Sequence, residues 1–236
     1  MQTENSESYK AVFFDLDHTL WDYETNSRET LIELYSGYQL STKGIASVDE
    51  FLDQFRLVNA GLWYLYDNGK IDSTVIRRER FKQILEHFSA YEEGLSISLS
   101  VDYLDQCPKK GNLMPHAIEV LNYLAPRYRL TVITNGFEEI QHLKLKAGNL
   151  HTYFDHIVTS QKAGHRKPDK KIFDFALENN NVKCNEAIMI GDNLITDVGG
   201  ARNAGIANVF FNSEKIGHSD FPDHEIERLI ELQGIL

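Results

Sequence analysis

Cysteine is scarce in this chain, with only Cys107 and Cys184 among 236 residues. The two lie far apart and in no metal-like spacing. That argues against a secreted, disulfide-stapled fold and fits a reducing compartment. Long hydrophobic runs are missing as well, so no segment reads as a membrane span. The polar start, residues 1–5, has neither the basic run nor the apolar stretch of a signal peptide, and the expected setting is cytoplasmic. Positive charge is also in deficit, with 24 Lys and Arg against 35 Asp and Glu. A formal net charge of −11 counts against nucleic-acid polymers, whose phosphate backbones are bound by clustered cations. A small anionic ligand is not excluded, since it needs only a local positive site. No internal repeat or low-complexity segment is visible.

What the chain does have is an ordinary globular balance, 42% hydrophobic and 25% charged. Its length exceeds one average domain and falls short of two large ones, which suggests a core domain with an insertion. Five short apolar runs read as buried strands: residues 11–15, 130–134, 156–160, 187–191 and 207–211. A helical pattern over 116–128 precedes the second, and patterns over 137–148, 169–179 and 197–204 separate the last four. Alternation of this kind predicts a parallel sheet covered on both faces, with ligands at the carboxyl ends of its strands. Between Asp22 and about Cys107 only helical periodicity is found, as in Leu31, Leu34 and Tyr35, or Phe51, Leu52, Phe55 and Val58. An all-helical insertion after the first strand is expected there. The stretch 224–232 reads as a closing helix.

Four strand ends carry candidate chemistry. The first ends in Asp15-Leu16-Asp17-His18-Thr19-Leu20. If the chain stays extended, both carboxylates project to the same side. That is costly beside an apolar core unless a cation lies between them or one is protonated, and oxygen-rich sites suit Mg²⁺. Acids pointing into solvent or capping a turn are the plainer alternative. The second end, Thr134-Asn135-Gly136, offers a hydroxyl and main-chain N–H groups as a phosphate cradle, or simply a helix cap. After the third strand, Lys167 precedes Pro168, which restricts its backbone. It is either a point charge for a phosphoryl oxygen or a solvated lysine. The fourth end, Gly191-Asp192, is followed by Asp197, which reads as a positioning acid, a helix N-cap, or both. Singly these signals are weak. Their shared place at the carboxyl ends of parallel strands gives them weight.

As a set, in this order, these motifs resemble the haloacid dehalogenase superfamily over nearly the whole chain. The resemblance implies an α/β fold: a Rossmann-like, doubly wound parallel sheet core at 1–21 and 108–236, with an all-α cap at 22–107. It implies a phosphatase in which Asp15 is the nucleophile and forms an aspartyl-phosphate, and Asp17 is the general acid and base. Mg²⁺ would be held by Asp15, Asp192 and the Asp17 main-chain carbonyl, with Asp197 positioning the metal or Lys167. Thr134 and Asn135 would bind phosphate, and Lys167 would neutralise charge. Members that remove halide from carbon lack the second acid and the metal, so Asp17 points to phosphate esters.

Thr134 to Phe137, Lys167 to Asp174, Gly199-Gly200-Ala201 and Asn203-Ala204-Gly205 are further similar to bacterial house-cleaning pyrimidine 5′-nucleotidases. In the insertion, so are Asn59, Leu62-Trp63, Tyr66 and Gly69-Lys70-Ile71. His18 stands where a glycine or another small residue is common. The favoured substrate is therefore a pyrimidine nucleoside monophosphate, the alternative a sugar phosphate or a phosphoglycolate-like metabolite. Trp63, Tyr64 and Tyr66 form an aromatic cluster that either stacks on a base or packs within the insertion, with Trp63 and Tyr66 the candidate specificity residues. Arg77, Arg78 and Arg80 either touch a nucleotide or, on the plainer reading, form a solvated helix face. A signalling receiver or an inactive scaffold fits poorly, because neither would keep Asp15, Asp17, Lys167 and Asp192 together with a helical insertion.

Overall fold

The computed structural model describes residues 9–236, and the polar start read above at 1–5 lies outside them. Two compact units emerge. One comprises the chain up to Asp22 together with Gly111–Leu236, the other Tyr23–Lys110.

In the first unit six parallel strands form one sheet: β1 (Ala11–Phe14), β2 (Arg129–Thr134), β3 (His156–Thr159), β4 (Ala187–Gly191), β5 (Ala207–Phe211) and β6 (His224–Ile226). Their order is β3-β2-β1-β4-β5-β6. β1 is buried along its whole length, as a central parallel strand must be when both faces are covered. Ala11 and Phe13 join a cluster with Ile172, Phe173 and Ala176 on one face, while alternation sends Val12 and Phe14 to the other. Chain order reverses at β1. The crossovers run outward to β3, then return to the opposite side of β1 at β4, which makes the carboxyl end of β1 the topological switch point.

The last predicted helix is replaced by strand. Residues 224–226 form β6, in register with β5 through Val209 and His224, and through Phe211 and Ile226. The Asn212 amide donates to the Ile226 carbonyl at 2.8 Å. The open edge of β5 supplies main-chain partners that a short terminal helix would leave unmet. A 3₁₀ turn over Leu229–Gly234 then buries Leu229 and Leu232.

The second unit contains no strand among its described residues. Its helices are α1 (Tyr23–Gly37), α2 (Val48–Asp67), α3 (Ser73–His87) and α4 (Glu93–Gln106). Ser47 caps α2 by accepting from the Glu50 amide, and Asp72 caps α3 by accepting from Thr74 and Val75. Phe51, Phe55, Phe81, Ile84, Leu99 and Tyr103 fill its core. Arg80 departs from the expected solvated face. It is 2% exposed, donates from Nη1 to Asn59 Oδ1 at 3.1 Å, and lies 4.5 Å from the Tyr103 ring centroid. An aromatic surround of this kind partly offsets the loss of hydration. Tyr66 is buried and forms a T-shaped pair with Trp63, ring centroids 5.4 Å apart. Tyr64, one residue from Trp63, is exposed, so the three aromatics are divided between core and surface. No described helix is long and apolar enough to cross a membrane.

Candidate active site

The remaining helices of the first unit are α5 (Ala117–Leu124), α6 (Glu138–Ala147), α7 (Ser160–Ala163), α8 (Lys170–Asn180) and α9 (Gly200–Asn203). Four of the strand-end segments singled out in the sequence meet at the carboxyl end of β1. The Asp15 amide donates to the Ile190 carbonyl at 2.9 Å, so the chain still pairs with β4 as it leaves β1. It then turns back, with Leu20 and Trp21 amides both bonded to the Leu16 carbonyl. His18 occupies the left-handed region at φ 63°, which explains why a glycine suits that position.

Lys167 is the electrostatic centre. It is 1% exposed, and its Nζ donates to Asp15 Oδ1 at 2.5 Å and to Asp197 Oδ1 at 2.6 Å. Burial pulls its ammonium down, but Asp15 and Asp197 outweigh that and hold it above the ordinary lysine range. Asn135 fixes its backbone from both sides. Asn135 Oδ1 accepts from the Lys167 amide at 2.8 Å, and Nδ2 donates to the Lys167 carbonyl at 3.0 Å. The Asn135 side chain thus grips the lysine segment, a task the sequence reading did not assign to it. Ser160 adds a hydrogen bond to the Asn135 carbonyl at 3.3 Å. Thr134 Oγ1 accepts from the Gly136 amide at 3.0 Å, shaping the turn before α6. The helix-cap alternative for this turn fails, because the N-cap of α6 is Phe137.

Asp15, Asp192 and Asp197 present carboxylate oxygens within 4.8 Å of one another. Burial lifts Asp15 well above the ordinary carboxylate value, against the pull of Lys167 and with the push of Asp197 and Asp192. Burial and then Asp197 push Asp192 to about 7. An all-oxygen, acid-rich donor set is what a hard divalent cation takes, so these residues fit Mg²⁺. Thr19, fully buried, orients Asp192 by donating to its Oδ1 at 3.1 Å.

Asp197 is not an N-cap. Asn193 has that role, accepting from the Ile195 and Thr196 amides, at the head of a π-helical turn over Leu194–Gly199. The turn brings Asp197 back over Gly191, and a Cβ built on Gly191 would lie 2.2 Å from Asp197 Oδ2. Only glycine leaves room there. Asp197 therefore holds Lys167 through one oxygen and accepts from the Asn193 amide, at 3.1 Å, through the other.

The side chain of Asp17 lies outside the carboxylate cluster of Asp15, Asp192 and Asp197, whereas an extended strand would have set Asp15 and Asp17 on one side. The Asp17 oxygens accept from Lys144 Nζ at 2.6 and 2.7 Å. The turn at residues 16–21 breaks the extended geometry, and each acid of the pair acquires its own lysine. Lys144 and Thr19 were not identified from sequence. A lysine in the last turn of an amphipathic helix carries no motif that marks it.

Comparison with known proteins gives matches over most of the chain. The family model of haloacid dehalogenase-like hydrolases matches residues 9–205. The pyrimidine 5′-nucleotidase YjjG of Escherichia coli K12 is 31% identical over 93% of this chain and 96% of its own. A glyceraldehyde 3-phosphate phosphatase of Methanothermobacter thermautotrophicus is 29% identical over 87% of this chain and 86% of its own. A crystal structure of the HAD-hydrolase YfnB from Bacillus subtilis, bound to magnesium, superposes with a TM-score of 0.87 over 97% of this chain and 99% of that one, at 24% identity. With that sheet order, those strand ends and this match, the chain belongs to the haloacid dehalogenase-like hydrolases.

Proposed function

We propose that this hydrolase is an Mg²⁺-dependent phosphomonoesterase working through an aspartyl-phosphate, and that its substrate is a pyrimidine nucleoside 5′-monophosphate. The observation that carries the chemistry is Lys167, buried and bonded at once to Asp15 and Asp197 beside Asp192. A fixed cation against a carboxylate at a switch point is a site prepared for an anion.

In the first half-reaction an Asp15 oxygen attacks phosphorus, the bond from phosphorus to the ester oxygen breaks, and its electron pair leaves with that oxygen. The Asp17 carboxyl gives its proton to the departing alkoxide. In the second half, water attacks phosphorus, Asp17 takes a proton from that water, and the Asp15 carboxylate is released with inorganic phosphate. Lys167 offsets charge on Asp15 and on the phosphoryl oxygens, while Thr134 and the main chain at Asn135 are the donors assigned to those oxygens. A magnesium ion held by Asp15, Asp192 and the Asp17 main-chain carbonyl would supply further positive charge for the phosphoryl group. Asp197 keeps Lys167 in place. Cys107 and Cys184 form no disulfide, which suits the cytoplasm as the setting.

The similarity to YjjG supports the nucleotide, with Trp63 and Tyr66 assigned to substrate selection. The similarity to the glyceraldehyde 3-phosphate phosphatase supports a second reading, a phosphorylated sugar or related small metabolite. Phosphate release from a panel of esters, with Mg²⁺ and with EDTA, separates them. We expect metal-dependent release led by dUMP, dTMP or UMP. Release led by a sugar phosphate or phosphoglycolate discards the nucleotide and keeps the chemistry, and release from no ester discards both.

Metal binding should also depend on pH. A carboxyl raised from the ordinary 3.8 to about 7 binds its proton more tightly in the folded chain. Its contribution to stability is complete below 3.8 and is lost as pH rises through about 7. Mg²⁺ must displace that proton. Thermal unfolding with and without Mg²⁺ should therefore show a larger rise in Tm at pH 8 than at pH 6. An equal rise at both would contradict Asp192 as a ligand.

A further inference from the structure

We propose that Lys144 is the positioning residue for the proton-transfer carboxyl, holding Asp17 at the angle from which it reaches the ester oxygen. This rests on the phosphatase reading above. Asp17 sits on a turn rather than on a strand, where nothing in the sheet fixes its side chain. Lys144 does so from the last turn of α6, with Nζ donating to both carboxylate oxygens at 2.6 and 2.7 Å. A bond to each oxygen restricts rotation of the carboxylate about its own axis as well as its distance. The lysine is itself held. Its side chain is 7% exposed against 24% for Asp17, and its ammonium lies 4.5 Å from the centroid of the fully buried Trp21 ring. Trp21 in turn is tied to the same turn, its amide bonded to the Leu16 carbonyl at 2.9 Å and its backbone bridged to Asp17. A surface ion pair would show none of this: exposed pairs are mobile and weakly worth forming. Here a buried cation, an indole face and a main-chain turn converge on one carboxyl that the chemistry requires to be aimed.

Because Lys144 acts through Asp17, its loss should slow the first half-reaction in proportion to how much the departing oxygen needs a proton, while the second, in which Asp17 activates water, is shared by every ester. An alkoxide from dUMP needs it, whereas p-nitrophenolate leaves readily without it. For Lys144→Met we expect leaving-group release in the first turnover to slow about 10- to 100-fold with dUMP and less than about 3-fold with p-nitrophenyl phosphate. If the panel rejects dUMP, the alkyl ester it accepts takes its place. The ratio of the two rates is independent of how much protein folds, so a destabilised variant still reports. Lys144→Arg should restore most of the dUMP rate, and Lys144→Met placed on Asp17→Asn should cost nothing further. Equal losses on both esters, or a further loss in the Asp17→Asn background, would overturn the assignment. An unmodified protein that hydrolyses no ester would instead overturn the phosphatase reading on which it stands.

Discussion

Asp15→Asn is expected to lower phosphate release by a factor on the order of 10⁴ or more, because an amide cannot form the covalent intermediate and the step it carries has no substitute. The fold should survive. Asparagine keeps the shape of aspartate, and the change removes a carboxylate that burial already lifts well above its ordinary pKa. Lys167 keeps Asp197 as its partner at 2.6 Å. Urea unfolding should accordingly agree with that of the unmodified protein to about 1 kcal/mol, the scale on which one hydrogen bond is exchanged for another. Loss of release with unchanged unfolding assigns Asp15 to the chemistry. Turnover at the normal rate would remove the aspartyl-phosphate from the mechanism.

Lys167→Met should damage both activity and stability. Methionine matches the length of the lysine stem but leaves Asp15, Asp192 and Asp197 crowded within 4.8 Å without the ammonium that offsets them. Removing one partner from a buried ionic group costs about 3–5 kcal/mol. The sign with pH follows from Asp15 and Asp192, both of which are already raised. Without Lys167 they hold their protons more tightly still, so acid relieves the repulsion. The deficit relative to the unmodified protein should be largest near pH 8 and should shrink toward pH 5, which lies below the value of about 7 to which Asp192 is already pushed. Denaturant titrations at the two pH values read this directly. A deficit that is the same at both, or below about 1 kcal/mol, would mean that the ammonium is not what balances the cluster.

The parallel sheet was legible because its strands are buried on both faces and so read as uninterrupted apolar runs, as at Ala11–Phe14 and Ala187–Gly191. Given that sheet, the rule that ligands gather where strands end placed Asp15, Thr134, Lys167 and Asp192 in one region before any geometry was available. β6 was hidden for the opposite reason. Only Ile226 of its three residues is buried, and an edge strand that short has no period of its own. Arg80 was hidden because charge normally predicts exposure, and its burial depends on aromatic rings from α2, α3 and α4 that no local pattern brings together. The Lys144 contact spans 127 residues. The role of Asn135 as a clamp on Lys167 likewise depends on β2 lying beside β3, which is a property of the sheet and not of either segment.

The two main-chain links at the base of the helical insertion have a bearing on descent. The Asp22 amide bonds to the Asn112 carbonyl at 3.1 Å, and Trp21 bridges to Leu113, so the chain departs from the sheet domain and re-enters it at neighbouring points. Closing such an excursion costs little more when it is long than when it is short, about 0.6 kcal/mol for each doubling of its length. The insertion can therefore lengthen, shrink or be exchanged between lineages with the carboxyl end of β1 left undisturbed. Mutation can vary the length of one segment while the cluster of Asp15, Lys167 and Asp192 is inherited unchanged through the other.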